Sequence, residues 1–324
     1  MILGTFLLLA NLGLVGLSFS RLSLHVKLNR ATRRRDLHEA LRILLKLQKL
    51  PATPLGNSIC DTLLLRVGTG LRDWELVDET WKRFRKRPRA LQQYYREGCG
   101  YYGLSLAERG RYQESLELLE ESTDSNIMST VFALSRASVL TRCGRFAEAR
   151  ECLEQYQKLS PNNPFHMWSR LLLANLDYLE GYQDAAQSAL SRLSTDPHSL
   201  RHFKEEFLLY GLVRALCRSG MPERARPFFP VEPSDLTTPR CRELRMLAAA
   251  FLAEGEGELE TALSYYSDLR ALGTIDAEAY VRAANLSKRL GRAEQARDFL
   301  QAAASYDPES HWALVAERKL QKLE

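Results

Sequence analysis

Cysteine is sparse and unpaired in this sequence: six residues, at 60, 99, 143, 152, 217 and 241, with no CxxC pair among them. That spacing argues against a small disulfide-stapled scaffold and against a cysteine-based zinc site, and leaves free, mostly buried thiols. Glycine and proline are also few, 18 and 12 in 324 residues, too little for a collagen-like or low-complexity chain. Beyond residue 57 runs of β-branched residues are scarce and Leu, Ala, Arg and Glu dominate, so helices are expected and a sheet is not. No GxSxG, P-loop or HExxH is present, and no pair of carboxylates stands out as a catalytic set. The expectation is a protein without enzymatic activity and without a cofactor. What is present is 45% hydrophobic and 26% charged residues, the balance of a chain that folds, at a length suited to two domains or one array of repeats.

Charge is unevenly placed. Residues 1 to 97 hold 18 Lys/Arg and 8 Asp/Glu, a net of +10, whereas residues 98 to 324 hold 27 and 32, a net of −5. A basic front end ahead of a slightly acidic body fits a front end beside an anionic surface. Residues Ile2 to Phe19 form an uncharged run of 18, of which twelve are apolar. As a helix the run would span about 27 Å, close to the ~30 Å hydrocarbon core. Arg21, Lys27, Arg30, Arg33, Arg34 and Arg35 follow before the first acid, Asp36. The positive-inside rule then gives a single-pass membrane protein with its body in the cytoplasm. Two other readings compete. A cleavable signal peptide lacks its basic n-region and a clear A-x-A site here, and a first helix packed on the body lacks a polar stripe.

Glycine recurs along the helical part. Gly70, Gly110, Gly144, Gly181, Gly220, Gly257 and Gly291 each stand between two helix-forming stretches, at spacings of 34 to 40 residues. Such a glycine suits a left-handed helix terminus between antiparallel helices. Five residues after the last six glycines stand Ser115, Ala149, Ala186, Ala225, Ala262 and Ala296, small wherever two helices must approach. Nine residues after them stand the large Leu119, Leu153, Leu190, Phe229, Tyr266 and Leu300, and seven before them Gly103, Ala137, Ala174, Val213, Ala250 and Ala284.

These three registers resemble the tetratricopeptide repeat (TPR) family, whose 34-residue unit pairs two helices with a small, small, large arrangement and often closes with proline. The clearest matches are GRFAEARECLEQYQKLSP at 144–161 and GRAEQARDFLQAAASYDP at 291–308. Gly70 departs from the pattern, with Glu75 where the small residue belongs, and Pro222 and Pro227 shorten the second helix near 220. The resemblance implies an all-α, right-handed superhelical solenoid of helical hairpins. The expected organisation is a transmembrane anchor at 1–20, a basic juxtamembrane helical region at 21–56, the solenoid at 57–308 and a terminal capping helix at 309–324.

The resemblance further implies a scaffold or adaptor that holds a protein or peptide partner in a groove lined by the first helix of each unit. The groove positions are Trp168, Leu171 and Asn175, then Phe207, Tyr210 and Arg214, then Leu244, Leu247 and Phe251, with Asn285 in the last unit. Leu171 and Val281 stand where the family's carboxylate clamp would want a cation, so that clamp is not expected. The competing reading makes these side chains ordinary packing between repeats. A second candidate is the cationic run Lys82, Arg83, Arg85, Lys86, Arg87 and Arg89, which with Arg33, Arg34 and Arg35 forms a basic patch for a membrane surface. The competing readings are a solvated helix end and, on a soluble or exported helical-repeat protein, an 82–89 patch that binds nucleic acid or anionic lipid. His198, His202 and Glu206 lie four apart on one helical face, but no fourth ligand is indicated and a metal is not expected.

Overall fold

The computed structural model describes residues 23–24, 26–31, 34, 36–50, 53–86, 92–122, 127–159, 166–195, 206–229, 239–274 and 276–322. The apolar run 2–19 lies outside them; among the described residues no helix is long and apolar enough to cross a membrane. Every regular element among them is helical. The chain divides into two compact units, Met1–Ser105 and Leu106–Glu324.

The first unit is built on α1 (Leu37–Gln48), α2 (Pro54–Leu71), α3 (Trp74–Arg85) and most of α4 (Gln92–Glu108). Each of the first three begins on a side-chain cap. Asp36 accepts from the Glu39 N–H at 2.9 Å, Thr53 from Gly56 at 3.1 Å with Pro54 following, and Asp73 from Leu76 at 3.1 Å. These caps satisfy amide donors that the helices cannot satisfy themselves. Ile43, Leu44 and Leu47 of α1 meet Leu64 and Val67 of α2 in one apolar cluster, which Leu28 and Ala31 join from upstream.

The turn from α2 to α3 is made by Arg72, at φ 59°, and not by Gly70. Asp73 N–H returns to the Gly68 carbonyl at 3.0 Å and Arg72 N–H to Thr69 at 3.2 Å, the double bond of a helix closing on a left-handed residue. The hairpin register therefore sits two residues later than Gly70 suggests, and Val77, not Glu75, faces the neighbouring helix. Val77 fits there because Gly68 lies opposite: a Cβ on Gly68 would stand 2.8 Å from the Val77 Cγ2. The small residue has moved to the other helix of the pair.

The second unit continues with α5 (Tyr112–Ser122), then the hairpins α6 (Ile127–Arg142) with α7 (Phe146–Leu159) and α8 (His166–Leu179) with α9 (Gln183–Thr195). In the next hairpin α10 (Glu206–Arg218) is followed by only one helical turn, α11 (Pro222–Ala225), and a 3-10 turn at Arg226–Phe228, as the two prolines require. Then come α12 (Pro239–Gly255) with α13 (Leu259–Ala271), α14 (Ala277–Arg289) with α15 (Ala293–Tyr306), and α16 (His311–Gln321). The six turn glycines from Gly110 to Gly291 all have positive φ, between 74° and 91°. At Gly257 the following N–H reaches back to the Ala253 carbonyl at 2.9 Å, and the same closure recurs at Gly144 and Gly291.

The small positions Ser115, Ala149, Ala186, Ala225, Ala262 and Ala296 are buried, as are Leu119, Leu153, Leu190, Tyr266 and Leu300. Polar ties one repeat apart join successive hairpins. Arg150 on α7 pairs with Asp177 at 2.7 Å, Gln187 on α9 donates to the Ser219 carbonyl at 2.7 Å, and Arg226 pairs with Glu256 at 2.5 Å. The unit also closes on itself. Glu309 accepts from the Gln113 N–H at 2.9 Å, and His311 packs edge-on to Phe146 at 5.3 Å beside Gly144.

Candidate functional site

First helices of successive hairpins in the second unit carry apolar residues on a helical period, with charged residues breaking it: Arg142 on α6, Arg214 and Arg218 on α10, Glu254 on α12, Glu278 and Arg282 on α14. Arg214 with Arg218, and Glu278 with Arg282, are four apart and so share a helix face. Folding turns these faces onto one another. A cavity of about 170 Å³ opens between them, lined by Arg142, Asn175, Gly211, Arg214, Arg218 and Glu278 among others.

Glu278 is the hub. It takes Arg218 through a bidentate contact whose Nε arm is 2.8 Å long, Arg282 Nε at 3.2 Å and Arg214 Nη2 at 3.5 Å. Arg282 also reaches Glu254 at 3.1 Å, which accepts from the Tyr266 hydroxyl at 3.0 Å. Arg214 donates to Asp276 at 3.1 Å, and Asp276 in turn caps α14 by accepting from Ala279 N–H at 3.1 Å. Arg218 donates to the Asn175 carboxamide oxygen at 2.9 Å. Phe251 is buried beside this cluster, its ring centroid 4.4, 4.9 and 5.6 Å from the guanidinium carbons of Arg282, Arg214 and Arg218. Such contacts favour the cations over the ring face once water is excluded.

Electrostatics follow from this packing. Burial raises the pKa of both Glu278 and Asp276, but arginines outweigh it and hold each carboxyl below its ordinary range: Arg218, Arg282 and Arg214 around Glu278, Arg214 and Arg142 around Asp276. Asp307, lining the same cavity, goes the other way: burial dominates and lifts its carboxyl above the ordinary range despite Arg142. Arg142 itself donates to the Tyr112 hydroxyl at 3.0 Å.

Of the groove positions named from sequence, Asn175 and Arg214 line this cavity. Leu171, Tyr210, Leu247 and Phe251 are buried, and Trp168 and Leu244 pack half-buried against the same core. Asn285 accepts from Lys319 on α16 at 3.1 Å. The side chain of Phe207 lies outside the described residues, as do His198, His202 and the side chain of Glu206. Among the described residues no cluster of metal-ligating side chains occurs. In the basic patch Arg83 is committed to the buried Asp61 at 2.9 Å and Arg85 lies 5.9 Å from the Trp81 ring, whereas Lys82, Lys86 and Arg34 are exposed. Arg33, Arg35, Arg87 and Arg89 are outside the described residues.

Sequence reasoning missed Arg142, Arg218, Glu278, Arg282 and Glu254. The available signal was the pair of four-residue spacings, Arg214 with Arg218 and Glu278 with Arg282, inside first helices that are otherwise apolar.

Comparison with known proteins bears on the repeat. The family model described as tetratricopeptide repeat matches residues 133–163 and 277–310, which are most of α6 with α7, and α14 with α15. No curated protein matches the chain. Among solved structures, the APC/C hetero-tetramer Cut9–Hcn1 is similar at 13% identity and a TM-score of 0.55, over 92% of this chain and 55% of that one. The chain thus spans about half the length of that relative. A tetratricopeptide repeat protein from Parabacteroides merdae is similar at 17% identity and a TM-score of 0.46, over 82% of this chain and 98% of that one. The family match and the first likeness together make the fold an all-helical TPR-like solenoid.

Proposed function

We propose that the chain is a membrane-tethered scaffold whose second unit holds a protein or peptide partner on the face built by its first helices. One observation carries the reading: first helices from successive hairpins converge on a single cavity lined by paired arginines and carboxylates with Asn175. Buried ion pairs contribute little net stability compared with apolar residues of the same shape, so their concentration at one cavity points to recognition. A peptide entering there exchanges its own carbonyls, amides and charged side chains for internal pairs such as Arg218 with Asn175 and Arg214 with Asp276, losing few hydrogen bonds. No reaction is assigned to the site. Tethering is supported by the uncharged run 2–19 and its cationic flank, which by the positive-inside rule leave the chain beyond that flank in the cytoplasm.

Selection of a random-peptide display library on the purified chain tests the recognition half. Recovered peptides should share a motif and bind Asn175→Leu and Arg214→Lys at least tenfold more weakly, at a temperature where circular dichroism shows both variants fully folded. Peptides that bind all three proteins equally would remove the cavity from the functional account. Leu8→Asp with Leu14→Asp tests the tether, since two buried acids cost several kcal/mol on insertion scales, about 5 to 7 at the helix centre. That variant should leave the membrane on alkaline extraction, and its retention would refute the anchor.

A further inference from the structure

The first unit is polarised in a way its composition does not reveal. Helices α1 and α3 both run antiparallel to α2. At one end Leu37 lies against Gly70 and Val77 against Gly68. At the other, Cys60 donates to the Leu44 carbonyl at 3.7 Å and Arg83 pairs with Asp61 at 2.9 Å. The C-termini of α1 and α3 therefore finish side by side. Lys46 and Lys49 stand at the first, Lys82, Arg85 and Lys86 at the second; all five are exposed, and none has an ion-pair partner among the described residues. Arg83 is a strut, turned inward to the carboxylate of Asp61, which is 1% exposed. Arg96 and Glu97 lie in the early turns of α4. The exposed acids of α1 and α3 and their caps, Asp36, Asp73, Glu75 and Glu79, belong to the opposite end or the first half of α3.

Two helix C-termini favour a cation each, but five clustered without counter-charge repel one another, a cost removed by a polyanionic surface. The course of the chain says which surface. Leu28 and Ala31 join the same apolar cluster as α1, and Asp36 N–H bonds the Ala31 carbonyl at 3.0 Å. The apolar run ends at Phe19, seven residues before Val26, a reach of at most about 25 Å.

We propose that Lys46, Lys49, Lys82, Arg85 and Lys86 form one binding surface for anionic phospholipid headgroups, drawn from two helices 36 residues apart, that seats the first unit on the bilayer. The choice of lipid over other polyanions rests on the tether proposed above. Each cation near an anionic leaflet contributes roughly a fivefold gain in binding at moderate salt.

The test is co-sedimentation of the full chain with phosphatidylcholine vesicles and with mixed phosphatidylcholine–phosphatidylserine vesicles, at low and high salt. Wild type should favour the anionic vesicles, and the preference should collapse at high salt. Lys46→Gln with Lys49→Gln should weaken it about 25-fold, and Lys82→Gln, Arg85→Gln and Lys86→Gln together about 100-fold, at unchanged melting temperature. Arginine in place of the four lysines should restore it. Equal binding to both vesicle types, or a preference untouched by the glutamine variants, overturns the proposal. So does tighter, equally charge-dependent binding to duplex DNA, which would make the surface a nucleic-acid site, or displacement by millimolar inorganic phosphate, which would make it a small-anion site. The tether is read separately: loss of neutral-vesicle binding by Leu8→Asp with Leu14→Asp supports the anchor. A charge-dependent preference surviving in that variant supports the surface on its own.

Discussion

The two units solve the same packing problem with opposite placements of charge. In the first unit Asp61 is the one buried charged residue among the described residues, and Lys46, Lys49, Lys82, Arg85 and Lys86 lie exposed at one end. In the second unit, Arg214, Arg218, Arg282, Asp276 and Glu278 are folded inside, around the ring of Phe251. The backbone differs in parallel: within its hairpins the second unit turns on glycine, the first on Arg72. A helical hairpin therefore tolerates loss of its turn glycine if the size pattern across the pair is rearranged, as Gly68 and Val77 show. Burying charge instead makes each member depend on partners in other hairpins.

That dependence sets the largest expected effect. Glu278→Ala leaves three guanidiniums without their common partner and should cost about 3–5 kcal/mol, read as a fall in melting temperature with amide exchange accelerating throughout the second unit. The matching change in the first unit, Asp61→Ala, should cost about 1–2 kcal/mol, because Arg83 is 40% exposed and can regain water. Equal losses would dissolve the contrast between the units.

Next in size is overpacking in the first unit. A Cβ on Gly98 would stand 2.4 Å from Phe84 Cε1, so Gly98→Ala should cost about 1–3 kcal/mol. Arg72→Gly runs the other way. Relief of the left-handed strain, about 1–2 kcal/mol, less the entropy of glycine, about 0.5–1 kcal/mol, leaves a small gain in denaturant midpoint. A loss there would mean that the Arg72 side chain matters more than its backbone.

A pH-dependent effect separates two neighbouring aspartates. Asp276 has a depressed folded pKa, so the stability it contributes is present above the ordinary carboxylate range and is lost as pH falls below that range toward the lowered folded value. Asp307 has a raised folded pKa, so its charged form carries a cost that protonation relieves. Asp276→Asn should therefore destabilise clearly at pH 7, while Asp307→Asn should change the melting temperature little or raise it. Both differences should shrink below about pH 4 in thermal melts.

How much of this was legible follows from distance along the chain. The turn glycines and the small and large registers are local, within nine residues of each turn, and six hairpins could be read from them. Gly70 misled because the residue that takes the left-handed conformation, Arg72, carries no sequence mark of doing so. The buried charges were hidden for a different reason. Arg214 meets Asp276 across 62 residues and Arg218 meets Glu278 across 60, and a charged residue on a helix reads as solvated until its partner is brought to it. Lys46 and Lys49 escaped notice beside the 82–89 run for the same reason: only the antiparallel return of α2 makes them neighbours.

The contact between Gln113 and Glu309 joins positions 196 residues apart, and with His311 on Phe146 it ties the last turn of the second unit to its first hairpins. An open row of repeats behaves as a one-dimensional chain, fraying from its ends with stabilities that add link by link. Fastening the ends removes both free termini from that row. Unravelling from α16 would strip partners from α5, α6 and α7 as well, so melting becomes all-or-none where an open array would peel. It also raises contact order well above that of helix-next-to-helix packing, and the second unit should refold more slowly than an unfastened repeat protein of its length.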